Sequence, residues 1–186
     1  MSDDDRIRWD EKYTVRVPAV TDLPPSAPPV TFAAFADAFP AAGHALDLAC
    51  GQGEGAVWLA GRGMRVWGVD VSPVAIGRAR DLARRSGVGD RCRFSVVDLD
   101  GGLPGGPPVD VVLCHLFRDR RLDGPIMRRL APGGLLAIAA LSRVGAVSGA
   151  YRAEPGELPA AFGDLDVIAC GEGDGQAWLL ARRPLR

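Results

Sequence analysis

The stretch Asp47-Leu48-Ala49-Cys50-Gly51-Gln52-Gly53-Glu54-Gly55 sets a carboxylate four positions ahead of alternating glycines, where an apolar strand gives way to a helix. Glycine lets the backbone approach a ligand without a Cβ collision, and a helix N-terminus offers unpaired N–H groups. The spacing discriminates between ligands. A dinucleotide turn calls for G-x-G-x-x-G, whose last small residue packs helix on strand. Here the glycines fall at 51, 53 and 55 and residue 56 is alanine, an imperfect fit. A carboxylate at position 47 repels a pyrophosphate and suits a ligand that carries an ammonium group.

Two further aspartates end the next two strands. Asp70 closes Arg65–Asp70, where a carboxylate can accept two hydrogen bonds from a ribose diol. Asp98 follows Arg93–Val97 and is placed for the exocyclic amine of an adenine. Either aspartate alone reads equally well as a turn residue or cap. Three carboxylates ending three consecutive strands beside a glycine turn read as one ligand rim, at the edge where open α/β sheets bind. An adenosine bearing an ammonium group describes S-adenosylmethionine.

The elements that must position these groups alternate. Ala45–Cys50 reads as a strand and Glu54–Arg62 as a helix ended by Gly63. After the strand Arg65–Asp70, Ser72 caps a helix that opens on Pro73 and stops before Gly87. Arg93–Val97 and Val109–His115 are strands, Pro125–Leu130 is a short helix, and Gly134–Leu141 is a fifth strand. Asp166–Cys170 and Ala177–Ala181 form a closing antiparallel hairpin with a flexible 171–176 turn. Strands separated by helices give right-handed βαβ units and a parallel sheet covered on both faces. Ahead of this lie a polar, then proline-rich arm (1–29) and a helical segment, Val30–Phe39, with phenylalanines at 32, 35 and 39. The expected organisation is an arm or lid over 1–29 and a single domain over 30–186.

Composition limits the partners. The chain has 186 residues, 22 basic against 23 acidic, for a net charge of −1. That balance gives no footprint for a polyanion, so nucleic acid is an unexpected partner. No apolar run reaches the ~18 residues of a membrane helix, and the acidic start does not resemble a signal peptide. The four cysteines (50, 92, 114 and 170) form no CxxC pair and read as reduced thiols of a cytoplasmic protein. With only His44 and His115 beside them, no metal site is expected.

As a set, LDLACGQGEGAVWLA (46–60), VWGVDVSPVAIGRAR (66–80), VVDLD (96–100), VDVVLCHLF (109–117) and LAPGGLLAIAAL (130–141) resemble the class I S-adenosylmethionine-dependent methyltransferases. The resemblance implies a Rossmann-like three-layer α/β sandwich. Its mostly parallel seven-stranded sheet would have the order 3-2-1-4-5-7-6, with strand seven antiparallel. It implies that Asp47, Leu48 and the Ala49-Cys50-Gly51-Gln52-Gly53 turn border the methionine portion of the cofactor. Asp70 would hold the ribose, Val71 would lie against adenine, and Asp98 with Leu99 would take the adenine edge. Cys114 and His115 would close the floor.

A narrower resemblance joins WDEKY (9–13), PPS (24–26) and EPGELPAAFGDLDVI (154–168) to small tellurite-resistance and thiopurine methyltransferase-like proteins. The chain lacks that group's His/Arg-rich insert before the last strand.

Methyl transfer needs a base only where the acceptor must lose a proton. His115 is the candidate, and a structural histidine is the competing reading. Trp9 and Tyr13, at i and i+4, share a helix face. With Lys12 and Arg16 they form either a lid, whose cations meet the cofactor carboxylate, or a packed arm. Arg118, beside Arg120 and Arg121, is a candidate for an acidic acceptor or a solvated helix start; Arg143, Tyr151 and Arg152 follow strand five, beside the expected acceptor pocket. The expected activity is methylation of a small molecule, with a soft thiol, selenium or tellurium nucleophile as the candidate acceptor, by a monomer or homodimer. The alternatives are a natural-product or quinone-like O/C-methyltransferase, an NAD-dependent oxidoreductase, or a non-catalytic cofactor-binding protein.

Overall fold

A computed structural model of the chain describes residues 7, 9–11, 13–14, 28–145 and 152–185. They contain one seven-stranded sheet of order β3-β2-β1-β4-β5-β7-β6. By contact the chain divides into two compact units, Met1–Pro104 and Gly105–Arg186.

In the first unit, β1 (His44–Leu48), β2 (Arg65–Asp70) and β3 (Cys92–Val96) run parallel, with Leu48 opposite Val69 and Asp70 opposite Val96. Their carboxyl ends therefore share one edge. Helix α1 (Glu54–Gly61) buries all of Ala56–Ala60, so it lies deep rather than amphipathic. Trp58 meets Phe39 edge-on at 5.0 Å, and Arg62 covers the Trp58 ring while donating to the Phe39 carbonyl at 2.9 Å. Helix α2 (Pro73–Arg85) follows a more usual plan. Ala75, Ile76, Ala79 and Ala83 form its buried stripe, the Ser72 hydroxyl accepts from the Ala75 N–H at 3.0 Å, and Arg84 and Arg85 complement the dipole in the last turn. Ala79 allows a close approach to the glycine turn.

In the second unit, β4 (Val109–His115) pairs in parallel with β5 (Leu130–Leu141), and β7 (Gln176–Arg182) pairs antiparallel with both β5 and β6 (Asp166–Gly173). The interior of β5, Leu135–Ala140, is wholly buried, as a central strand covered on both faces requires. Two short helices, α3 (Asp123–Arg129) and α4 (Glu157–Ala161), complete it.

Three local readings need correction, and one helix was not foreseen. Val30–Ala38 is a 3-10 segment rather than an α-helix and turns non-helical at Phe35, while still burying Phe32 and Phe39. Strand β5 starts four residues earlier than the sequence predicts, because an irregularity between Val109 and Val111 carries the pairing past the Pro-Gly-Gly run. The hairpin strands extend to Gly173 and Gln176. Only Asp174 and Gly175, both at positive φ (49° and 75°), make the turn, the two-residue form that matches strand twist. Helix α4 has five residues, too few to show a period.

Gly53 is where α1 begins and α2 packs. It sits at φ +84°, and a Cβ there would lie 2.7 Å from that of Ala79. Gly53→Ala is expected to destabilise the protein by about 1–3 kcal/mol in urea unfolding, from backbone strain and the clash together.

Candidate functional site

The site of the first unit grows from the carboxyl ends of β1 and β2. After Leu48 the chain turns through Ala49 (φ +50°), Gly51 (φ +54°) and Gly53 (φ +84°). Asp70 holds the turn. One carboxylate oxygen accepts from the Gly51 N–H and the other from the Ser72 N–H, each at 2.9 Å. With the Val71 amide also contributing, part of a capacity of about four acceptor sites remains for a diol. Burial pushes the Asp70 carboxyl up, against the lowering effect of the Ser72 and Gly51 amides.

Asp47 is 3% exposed. Burial pushes its carboxyl up to about 8; the Ala56 N–H at the start of α1 counters this, and the charge of Asp70 adds to it. A protonated carboxyl at neutral pH is what a buried acid becomes without a cation. An incoming ammonium group would supply that cation. The same burial, reinforced by Asp47 and Asp70, drives the Cys50 thiol well above its ordinary range, so Cys50 lines the turn as a small neutral group rather than a nucleophile. Leu48 is fully buried beneath the turn, and Val71 is buried beyond Asp70.

Asp98 lies exposed past the end of β3, where its Oδ1 accepts from the Asp100 N–H at 2.9 Å and caps a 3-10 turn, Leu99–Gly101, with Leu99 buried. The cap reading of Asp98 thus holds.

Residues 7, 9–11, 13 and 14 are helical. Trp9 and Tyr13 stack with ring centroids 5.8 Å apart. The Tyr13 hydroxyl lies 2.9 Å from where a Cβ on Gly51 would be, so it occupies the space the glycine leaves open. The Ser72 hydroxyl donates to the Asp10 carboxylate. In the sequence Asp10 stands only as part of WDEKY (9–13), with no site role assigned to it. Lys12, Arg16 and Tyr151 lie outside the described residues.

In the second unit, Cys114 is buried near the end of β4, its thiol 3.5 Å from the Phe117 carbonyl. Burial lowers the His115 pKa, which keeps its imidazole neutral near pH 7. The next residue, Leu116, has φ +61° and is 42% exposed, with its N–H bonded to the Ala139 carbonyl at 2.8 Å. A left-handed leucine costs about 1–2 kcal/mol, and one this exposed regains little of that by burial.

Arg118 is not presented to an acceptor. Its side chain is 3% exposed, with both terminal nitrogens on Asp123 (2.5 and 2.8 Å) and Nε on Glu157 at 2.7 Å. The reason is local: Asp123 opens α3 and Glu157 opens α4, and one buried guanidinium joins the two helix starts. Burial pushes the Glu157 carboxyl up, but hydrogen bonds from Arg120, the Glu154 amide and Arg118 together hold it near 2. Arg143 pairs with Glu154 at 3.0 Å on the surface, and Arg152 donates to the Ser142 carbonyl at 2.8 Å. Among the described residues there is no cluster suited to a metal ion and no helix long and apolar enough to cross a membrane.

Comparison with known proteins agrees with this geometry. Residues 45–134 match the model of a family described as a methyltransferase domain. Ribosomal RNA small subunit methyltransferase C of Chromohalobacter salexigens is 31% identical over 138 residues, covering 70% of this chain and 38% of that protein. The chain spans about two fifths of that relative's length. A solved structure described as the conversion of a disulfide bond into a thioacetal group during echinomycin biosynthesis superposes with a TM-score of 0.68 and 26% identity, over 97% of this chain and 94% of that one. TehB from Haemophilus influenzae has the same fold (TM-score 0.68, 17% identity, 76% of this chain and 57% of that one). Residues 45–134 thus carry the pattern of a methyltransferase domain.

Two outcomes test the electrostatics. Between pH 4 and 8 the folded protein keeps a proton on Asp47 that the unfolded chain has lost, so that group's stabilisation falls as pH rises. The melting temperature of the wild type relative to Asp47→Asn is therefore expected to decline across that window; a constant difference contradicts it. Arg118→Met leaves Asp123 and Glu157 facing each other and is expected to cost about 3–5 kcal/mol in chemical denaturation.

Proposed function

We propose that the protein transfers the methyl group of S-adenosylmethionine to a small-molecule acceptor, with a soft sulfur-type nucleophile as the accepting atom. The observation that carries this reading is the end-to-end likeness, 97% of this chain and 94% of the other, to a structure whose description is sulfur chemistry on a natural product. The ribosomal RNA enzyme of Chromohalobacter salexigens shares only 38% of its length with this chain, and the net charge of −1 offers no electrostatic grip on RNA. Selenium and tellurium nucleophiles belong to the same soft class; the TehB likeness supports the fold alone.

When bound, S-adenosylmethionine supplies an electrophilic methyl carbon on a sulfonium, displaced in line by the acceptor. The residues of this chain bind, orient and exclude water. Asp70 takes the ribose hydroxyls on its remaining lone pairs while fixing the Gly51 amide. Asp47 would meet the ammonium group as a carboxylate, its proton passing to solvent as the ligand binds. Tyr13 and Trp9 cover the glycine turn as a lid over the site, with residues 30–186 forming the domain beneath. Holding donor and acceptor in line supplies the bulk of the rate, and a thiolate acceptor needs no base. A second reading, an oxygen acceptor on a natural product, is favoured by one feature: the neutral His115 at the end of β4 is able to take a hydroxyl proton.

Asp70→Ala is expected to weaken S-adenosylhomocysteine binding by about 1–3 kcal/mol in calorimetry, through loss of charge-assisted hydrogen bonds. Unchanged affinity would reduce Asp70 to a cap. Labelled methyl donor offered with thiols, selenite and phenols is expected to label the thiol or selenium products first. Label appearing only in ribosomal RNA would overturn the small-molecule assignment.

A further inference from the structure

Leu116 occupies a backbone conformation that favours glycine or asparagine, yet it carries a bulky apolar side chain left 42% exposed. The two other described non-glycine residues at positive φ have ready explanations. Ala49 is small and belongs to the glycine turn, and Asp174 is a turn residue of a favoured type. Leu116 has neither excuse. Its conformation is unfavourable and its burial incomplete, so folding gives no reason for leucine there; strain of this kind points to function.

Its surroundings say which function. Leu116 directly follows β4, and its N–H is bonded to Ala139 of β5, the residue opposite His115. Leu141, 38% exposed, ends β5 at the same edge of the sheet. The carboxyl edge of these two parallel strands therefore presents two exposed leucines next to an imidazole that burial keeps neutral. Carboxyl edges of open α/β sheets are where ligands bind. A surface of this composition favours hydrocarbon, and the described arginines past β5 are engaged, Arg143 by Glu154 and Arg152 by the Ser142 carbonyl.

Building on the methyltransferase reading, we propose that Leu116 is a specificity-determining residue that, with Leu141, takes the apolar body of the methyl acceptor. The acceptor class is then a thiol or related nucleophile attached to an aromatic or aliphatic skeleton, rather than a small hydrophilic or anionic one. The arginines after β4 fit this assignment, since Arg118 is engaged by Asp123 and Glu157 and Arg120 by Glu157.

The test is calorimetry on the full chain under reducing conditions with S-adenosylhomocysteine present. 2-Naphthalenethiol is titrated against 2-mercaptoethanol and 3-mercaptopropionate, using wild type, Leu116→Gly and Leu116→Met. Wild type is expected to bind the naphthalene thiol in preference to the other two. Leu116→Gly is expected to weaken that binding about 5- to 30-fold, the loss expected from removing part of a leucine contact, while Leu116→Met largely restores it. Glycine is at ease at this φ, so the melting temperature and the S-adenosylhomocysteine affinity of Leu116→Gly should not fall, which separates recognition from folding. Equal binding of the three thiols by wild type, or undiminished binding by Leu116→Gly, overturns the proposal while leaving the methyltransferase reading intact. Failure of S-adenosylhomocysteine to bind wild type removes both.

Discussion

The arrangement depends on one buried carboxylate. Asp70 receives the Gly51 amide on one oxygen and the Ser72 amide on the other, and so ties the turn after β1 to the helix start after β2. A carboxylate this buried is tolerated only because backbone dipoles converge on it. Those bonds fix the left-handed turn, and the turn fixes where α1 begins. Gly53, pressed on Ala79, then sets how closely α2 approaches. Helix position, glycine conformation and the remaining acceptor capacity of Asp70 are thus parts of a single constraint.

Much of this was legible because it follows from local rules. The strand–helix alternation, the Ser72-Pro73 helix start and the apolar runs at β1, β4 and β5 each carry a period or a cap in the sequence. The closing hairpin completes the strand order seen in the structure. The sequence hid what depends on distant partners. Nothing in Arg118 foretells that Glu157, 39 residues away, will receive its Nε, and only that pairing distinguishes a buried clasp from a free cation. Asp98 reads the same whether it meets an adenine or caps its own turn. Leu116 gives no sequence signal, since its strain is a backbone property that its side chain disfavours.

The two kinds of site residue differ accordingly. Asp70 and Ser72 sit at a strand end and a helix cap, where residue type and spacing encode the local structure. Arg118 and Arg152, after β4 and β5, take partners set by packing, which residue type alone does not reveal. Electrostatics differs just as much: burial holds the Asp47 proton up to about 8, whereas Glu157 sits among donors and stays ionised down to about 2.

The central claim is that the glycine turn and Asp70 frame a site for an adenosine joined to an amino acid rather than to a pyrophosphate. Parallel calorimetric titrations of the wild-type chain with S-adenosylhomocysteine and with NAD address it most directly. The account predicts saturable binding of S-adenosylhomocysteine and none of NAD; saturable NAD binding with S-adenosylhomocysteine silent would contradict it.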